Sequence, residues 1–413
     1  MIGLFDACTG CRACEQVCPR NCISFSYDAE GFIYPEVAQE ACIHCDRCDA
    51  VCHALKVNKE DLMCEKKHRS AVYGWVPDNN LRAGSSSGGA FSSLVESFVD
   101  DIGLVIGAAF SSDYYMVSHQ VCSREDYAPL RKSKYVFSDP LDSYTRTKDA
   151  LLAGKKVIFS GNPCQVAGLR AFLGKKGNDD HLLTVDFICH GTPSITLYQR
   201  HLQGISKGNK INRVDFRSKS FGWFQHCLLV EADGGVTHLE KSDDDWYMYH
   251  FLHNYSLRKC CYDCQYSNGD HVSDITIADF WGVKNYKPEI NDEKGISLII
   301  FNTERGHSVL HALKERMNLW PLEEEDYAYV FKTHAAYSKA GREKFFRDYG
   351  EKGYDYMAES TEHFCRNKVS LSAKVKRKAK EKLCAMKKQM KNIGGGYCMR
   401  CLLRNTQPLR SAA

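Results

Sequence analysis

The stretch Lys156–Leu173, KVIFSGNPCQVAGLRAFL, decides the fold class. Lys156–Ser160 is a short apolar run bounded by turn residues, which reads as a buried strand. Gly161-Asn162-Pro163-Cys164 then turns the chain, and Cys164–Leu173 reads as a helix. The pattern recurs at once. Leu182–Ile188 is a second strand, Cys189-His190-Gly191-Thr192-Pro193-Ser194 a second turn, and a helix starts near Ser194. Two successive strand–turn–helix units predict neighbouring parallel strands in an α/β layer. Cys164 and Cys189 then sit at the carboxyl ends of their strands, on the edge where open α/β sheets place ligands.

Working outward, Ala71–Val76 and Gly103–Phe110 read as further strands and Gly89–Val99 as a helix. Downstream, Arg258-Lys259-Cys260-Cys261-Tyr262-Asp263-Cys264 offers the pair Cys261-x2-Cys264, with Cys260 as a bystander. With Cys164 and Cys189 that makes four thiolates from three loops. On spacing alone a 4Fe–4S cluster, a structural zinc and unlinked core cysteines all remain open.

The N-terminus is less ambiguous. Cys8-x2-Cys11-x2-Cys14-x3-Cys18-Pro19 recurs 34 residues later as Cys42-x2-Cys45-x2-Cys48-x3-Cys52. A C-x2-C-x2-C segment wraps one iron–sulfur cube and supplies three ligands, and the fourth comes from elsewhere. Residues 1–55 resemble a bacterial two-cluster ferredoxin, in which the last cysteine of each half crosses over. That assigns one cluster to Cys8, Cys11, Cys14 and Cys52, and a second to Cys42, Cys45, Cys48 and Cys18. His53 stands where such ferredoxins have proline, and Cys22 reads as a small buried hydrophobe. Ile23–Tyr34 reads as a hairpin around Asp28–Gly31.

The chain has 413 residues and 21 cysteines, nine of them within the first 52 residues. An odd count at metal-ligand spacings opposes a disulfide scaffold and points to a reducing, cytoplasmic setting. Met1–Gly10 shows no secretory signal pattern. The longest apolar run, Ile102–Phe110, is far short of the ~20 residues of a membrane helix. The net charge of +4 is an average: from Arg366 onward 14 basic residues face one acid, while residues 1–365 carry net −9. The basic tail, 366–413, contains a helix-forming segment Lys374–Lys391, a Gly394–Gly396 break and the loose thiols Cys398 and Cys401. It reads as a solvated helix or as a docking element for a partner or an acidic membrane surface. No nucleic-acid partner is expected, and no G-x-G-x-x-G or G-x4-G-K-[ST] is present.

Several segments together resemble the beta subunits of coenzyme F420 hydrogenases and dehydrogenases. They are SSSGGAF at Ser85–Phe91, SKYVFSD at Ser133–Asp139, VIFSGNPCQVAGL at Val157–Leu169 and VDFICHGTPS at Val185–Ser194. FRSKSFGW at Phe216–Trp223, LRKCCYDCQYS at Leu257–Ser267, SDITIADFWG at Ser273–Gly282 and KGISLIIFNT at Lys294–Thr303 follow in order. The resemblance implies domain parts at 70–150 and 151–325 behind the ferredoxin-like module, in a mixed α+β and α/β chain. It implies a third 4Fe–4S cluster on Cys164, Cys189, Cys261 and Cys264. It also implies FAD, held by Ser85, Ser86, Ser87, Gly88, Gly89, Lys134 and Tyr135, and by Asp279, Trp281 and Gly282. His190 is a candidate proton donor. The implied activity is oxidoreduction: a ferredoxin-type donor, the clusters, FAD, then a small two-electron acceptor such as coenzyme F420. The alternative is a relay subunit with no substrate of its own.

Overall fold

Val157–Ser160 (β7) and Leu182–Phe187 (β8) pair in parallel, Val157 opposite Leu182 and Ser160 opposite Val185. Both are buried along nearly their whole length, so neither shows polar alternation. Successive side chains serve opposite faces. Val157 and Phe159 pack with Val166, Leu169 and Leu173 of helix Pro163–Leu173. Ile158 packs with Leu94 and Val95 of helix Ala90–Phe98 on the other side.

The computed structural model describes residues 5–55, 62, 69–269, 271–332 and 339–360. β7 and β8 lie in a nine-stranded sheet with β3 (Ser70–Trp75), β4 (Leu104–Phe110), β5 (Val117–Cys122), β6 (Ser138–Asp139), β12 (Ile275–Asp279), β13 (Ser297–Phe301) and β14 (Asn318–Leu322). The order is β14-β3-β13-β12-β8-β7-β4-β5-β6. β3, β12, β8, β7 and β4 run the same way, with β13 antiparallel between β3 and β12. Five carboxyl ends therefore share one edge. A second, antiparallel sheet of β9 (Ile211–Ser218), β10 (Cys227–Ala232) and β11 (Gly235–Lys241) was not foreseen. The mixed α/β expectation is met.

At the N-terminus β1 (Ile23–Tyr27) and β2 (Ile33–Val37) form the expected hairpin. Asp28 Oδ1 closes it by accepting from the Glu30 and Phe32 amides, at 3.0 and 2.8 Å. The hairpin is tied to the large sheet's domain, and residues 1–358 are one compact unit. Arg12 forks onto Asp139, Gln16 Oε1 accepts the Tyr144 and Thr145 amides, and Arg342 pairs with Glu30. Gly31 sits in this seam at φ 84, and a Cβ there would lie 2.3 Å from Thr196 Oγ1 and 2.7 Å from Ser194 Oγ. Gly31→Ala is therefore expected to cost about 1–3 kcal/mol in a denaturant titration, from backbone strain and overpacking together.

Among the described residues no helix is long and apolar enough to cross a membrane. The basic tail 366–413, with Cys398 and Cys401, lies outside the described residues, as do Cys64, Cys365 and Cys384.

Candidate metal and cofactor site

The helix that carries Cys164 starts with a reciprocal cap. The Asn162 side chain accepts from the Gln165 amide and Gln165 Oε1 accepts from the Asn162 amide at 2.9 Å, with Pro163 in the first turn. Gln165 Nε2 also donates to the Ser138 carbonyl at 2.7 Å, so the turn after β7 is held from both sides. Cys189 leaves β8 next door. The Cys260–Cys264 loop closes over the pair, with the Arg258 amide on the Thr192 carbonyl at 2.8 Å and the Thr192 amide on Cys261 Sγ at 3.3 Å.

Cys164, Cys189, Cys261 and Cys264 thus line one cavity of about 280 Å³. Burial pushes the Cys164 and Cys189 thiols well up, and repulsion among the four adds to it. Cys261 is drawn down to about 7, chiefly by the hydrogen bond from Cys260 working against burial, then by the Thr192 amide and the Arg258 charge. Four half-buried sulfurs gathered in this way become thiolates together only around a cation. Four thiolates from three loops are a donor set that a 4Fe–4S cluster or a tetrahedral zinc could use.

The structure brings the N-terminal cysteines into two neighbouring groups. Cys8, Cys11, Cys14 and Cys52 share a small cavity of about 40 Å³ with Phe25 and Pro35. Cys42, Cys45 and Cys48 feel one another's charge, and Cys18 lies with them through Cys22, whose sulfur is 3.4 Å from Cys18 Sγ. Cys22 is buried, as its reading as a small hydrophobe requires. The sets adjoin. Cys52 is within electrostatic reach of both Cys8 and Cys48, and Cys11 reaches Cys164. A Cβ on Gly168, one turn into the Cys164 helix, would stand 3.0 Å from Cys11 Sγ.

The segments expected to hold FAD also converge. Ser86 Oγ accepts the Ser133 amide at 2.8 Å, and Tyr135 OH accepts from Arg217 at 3.0 Å. Arg217 forks onto Asp279 at 2.8 Å through both terminal nitrogens, Trp223 Nε1 donates to the same carboxylate, and Trp281 stacks on Trp223 at 4.7 Å. The serine loop itself is largely spent. Ser85 Oγ donates to the Leu81 carbonyl, Ser87 Oγ to the Ile296 carbonyl, and the Gly88 amide to Ser297 Oγ. Gly282 hands its amide to Tyr329 OH.

The available donors are basic instead. Burial pushes Lys134 and Lys219 down to about 7, and their ammonium groups rest on main-chain carbonyls, those of Arg131 and Lys132 for Lys134 and of Arg82, Ser87 and Lys294 for Lys219. Arg217 Nε and His226 Nδ1 are buried without a hydrogen-bond partner among the described residues. Buried cations and unspent donors beside an indole face fit a flat, anionic cofactor. Arg217, Lys219 and His226 were not named as contacts from sequence, although Phe216–Trp223 contains the first two.

His190 is placed apart from the cavity lining: its Nε2 pairs with the Phe251 carbonyl at 3.1 Å and its ring meets Phe251 edge-on. Two histidines do line the cavity, His53 and His271, each buried at 1 % exposure, and His271 is the one paired with a carboxylate. Its Nδ1 is 3.0 Å from Asp186 Oδ2, while Thr276 gives its own proton to Asp186 Oδ1. A carboxylate only accepts, so Nδ1 carries a ring hydrogen. The ring's Nε2 has no hydrogen-bond partner among the described residues. No spacing in the sequence marks this residue, since the dyad forms only through the pairing of β8 with β12.

Residues 154–325 match the family model for the C terminus of the coenzyme F420 hydrogenase/dehydrogenase beta subunit, and residues 7–54 match the 4Fe-4S dicluster domain. The chain is 25% identical over 333 residues to the coenzyme F420-dependent sulfite reductase of Methanocaldococcus jannaschii, covering 76% of this chain and 48% of that protein. It thus spans about half the length of that relative. A chain from the xenon-derivatised F420-reducing [NiFe] hydrogenase complex of Methanosarcina barkeri aligns at TM-score 0.43 and 17% identity, over 68% of this chain and 91% of that one. The resemblance carried by the cysteine repeat and the peptide segments is borne out. Residues 7–54 are thus similar to an iron–sulfur dicluster domain, and residues 154–325 to the C terminus of the F420 hydrogenase/dehydrogenase beta subunits.

Proposed function

We propose that this chain is an iron–sulfur flavoprotein oxidoreductase moving electrons between a ferredoxin-type donor and a two-electron organic acceptor, coenzyme F420 or another small substrate. The observation that carries the reading is the convergence of Cys164, Cys189, Cys261 and Cys264 on one cavity beside Cys11. Clusters carry single electrons and a flavin trades them for pairs, so the cofactors supply the electron chemistry and the protein supplies position and charge.

The residues have separable tasks. The two N-terminal sets hold clusters in line, and the Cys164 set continues that line to the carboxyl edge of the sheet. Asp279, at the end of β12, is next along that edge, where Lys134 and Lys219 offer positive charge to a diphosphate, while Arg217 is paired with Asp279 and lies over Trp281. His271, oriented by Asp186, handles the proton at the cavity, where the sequence had pointed to His190 as proton donor. Nothing in this scheme calls for a nucleophilic side chain.

Anaerobic protein supplied with chemically reduced ferredoxin tests it. F420 or another organic acceptor should be consumed at a rate set by ferredoxin concentration, with one acceptor reduced per two electrons taken from ferredoxin. Reduced clusters with every organic acceptor left untouched would instead make the chain a relay.

A further inference from the structure

We propose that Arg258 is the fixed positive charge shared by the first and third clusters, and that it sets the reduction potentials of both. The inference rests on the three-cluster reading above and adds a residue that neither spacing nor resemblance singles out.

Arg258 belongs by its backbone to the third set and by its side chain to the first. Its amide donates to the Thr192 carbonyl at 2.8 Å and its carbonyl accepts the Cys261 amide at 3.0 Å. The guanidinium crosses the seam, with Nε on the Cys8 carbonyl at 2.6 Å and Nη2 on the Ile33 carbonyl at 2.5 Å. Tyr34 lies under it at 4.4 Å. The third nitrogen, Nη1, is buried with no hydrogen-bond partner among the described residues, and it stands over the Thr9–Gly10–Cys11 turn, 3.2 Å from where a Gly10 Cβ would be.

An arginine 1 % exposed needs a counter-charge. Its two side-chain hydrogen bonds go to neutral carbonyls, and the groups that most favour its charge are Cys260, Cys8, Tyr34 and Cys261, none of them a carboxylate. Its neighbours' carboxylates are engaged elsewhere: Asp6 with Lys259, Glu30 with Arg342. The negative charge available to it is therefore that of thiolate-bound clusters, and a nearby cation stabilises the reduced, more negative state of each. A guanidinium keeps its charge at every working pH, so this is a constant bias and not a switch.

The test is an EPR-monitored redox titration of the anaerobic full chain. Arg258→Gln should lower the potentials of the first and third clusters by about 59 mV or more, a tenfold change in the one-electron equilibrium, and leave the second in place. In Arg258→Lys the charge stays on the third-cluster loop but withdraws from Cys8, so the first potential should fall further than the third. An unchanged first-cluster potential in either variant overturns the proposal, because a residue that only pins the seam would alter stability and not potential. If the Gln protein does not retain its iron, the Lys protein decides alone by the same criterion. Wild-type iron content, measured beside it, separates this failure from that of the three-cluster reading: about eight irons instead of about twelve would sink the latter.

Discussion

Cys164→Ala should lower the iron content of the anaerobically purified chain from about twelve atoms to about eight, and halt electrons at the first cluster. The substitution is mild for the fold. Position 164 is in the first turn of a capped helix, alanine is the best helix former, and the Asn162–Gln165 cap does not use the sulfur. It is severe for the site, because Cys164 is the member of the third set that the Cys11 sulfur reaches. Removing it takes away both a ligand and the near end of the path. Two controls keep the result specific. Cys260→Ala should retain all its iron, since Cys260 supports Cys261 by a hydrogen bond and is not one of the four ligands. Cys122→Ala, on strand β5, should do the same. Full iron content in Cys164→Ala would break the four-ligand assignment.

Asp245→Ala should destabilise the chain by about 3–5 kcal/mol, measured by denaturant unfolding. Asp245 is fully buried at the junction of the second sheet with two helices. Its Oδ2 receives Nε2 of His201 at 2.7 Å and of His238 at 2.8 Å, and its Oδ1 caps helix Trp246–Leu252 through the Met248 amide. These three side chains are also near enough to hold one ion. Hydrogen bonds already account for every contact to the carboxylate, and Tyr354 OH meets His201 Nδ1 at 2.9 Å. Burial alone would raise the Asp245 carboxyl, but the His201 charge and the bonds from both histidines hold it well below the usual range. Burial likewise pulls His238 down, and Asp245 more than offsets it, so His238 ends above its ordinary value.

The signs give opposite pH windows. The Asp245 contribution is present above the unfolded value of ~3.9 and fades as pH falls through its depressed folded value. The His238 contribution is full below ~6.5 and fades as pH rises through its raised one. The stability advantage of wild type over Asp245→Ala should therefore shrink on going from pH 6 to pH 9, as the His238 contribution is lost. Parallel pH profiles for the two proteins would contradict the assignment.

Much of this was readable from the chain because it depends on near neighbours. KVIFSGNPC announces its strand, its Asn-Pro turn and its helix within nine residues, and the cysteine repeat carries its own spacing. The Asp28–Gly31 turn is a local Asx closure. What was hidden depends on distant pairings. The Asp186–His271 dyad needs β8 beside β12, 90 residues apart in sequence at the pair Thr276–Asp186. The serine loop was expected to hold FAD, but Ser85 and Ser87 give their hydroxyls to carbonyls, and the basic groups nearby are Lys134, Lys219 and Arg217. His190 was chosen for standing beside Cys189, and sequence adjacency to a ligand does not make a side chain face the cavity. His53, read as a missing proline, proves to be a tie. It bonds Thr9 at 3.1 Å and Tyr266 OH at 2.7 Å, joining the ferredoxin-like loops to the third set.

Iron, zinc and flavin counted together in one anaerobic preparation of the full chain test the central claim most directly. Three clusters feeding a flavin predict about twelve irons, about one flavin and no stoichiometric zinc per chain. About eight irons with one zinc, or a full complement of iron with no flavin, would contradict it.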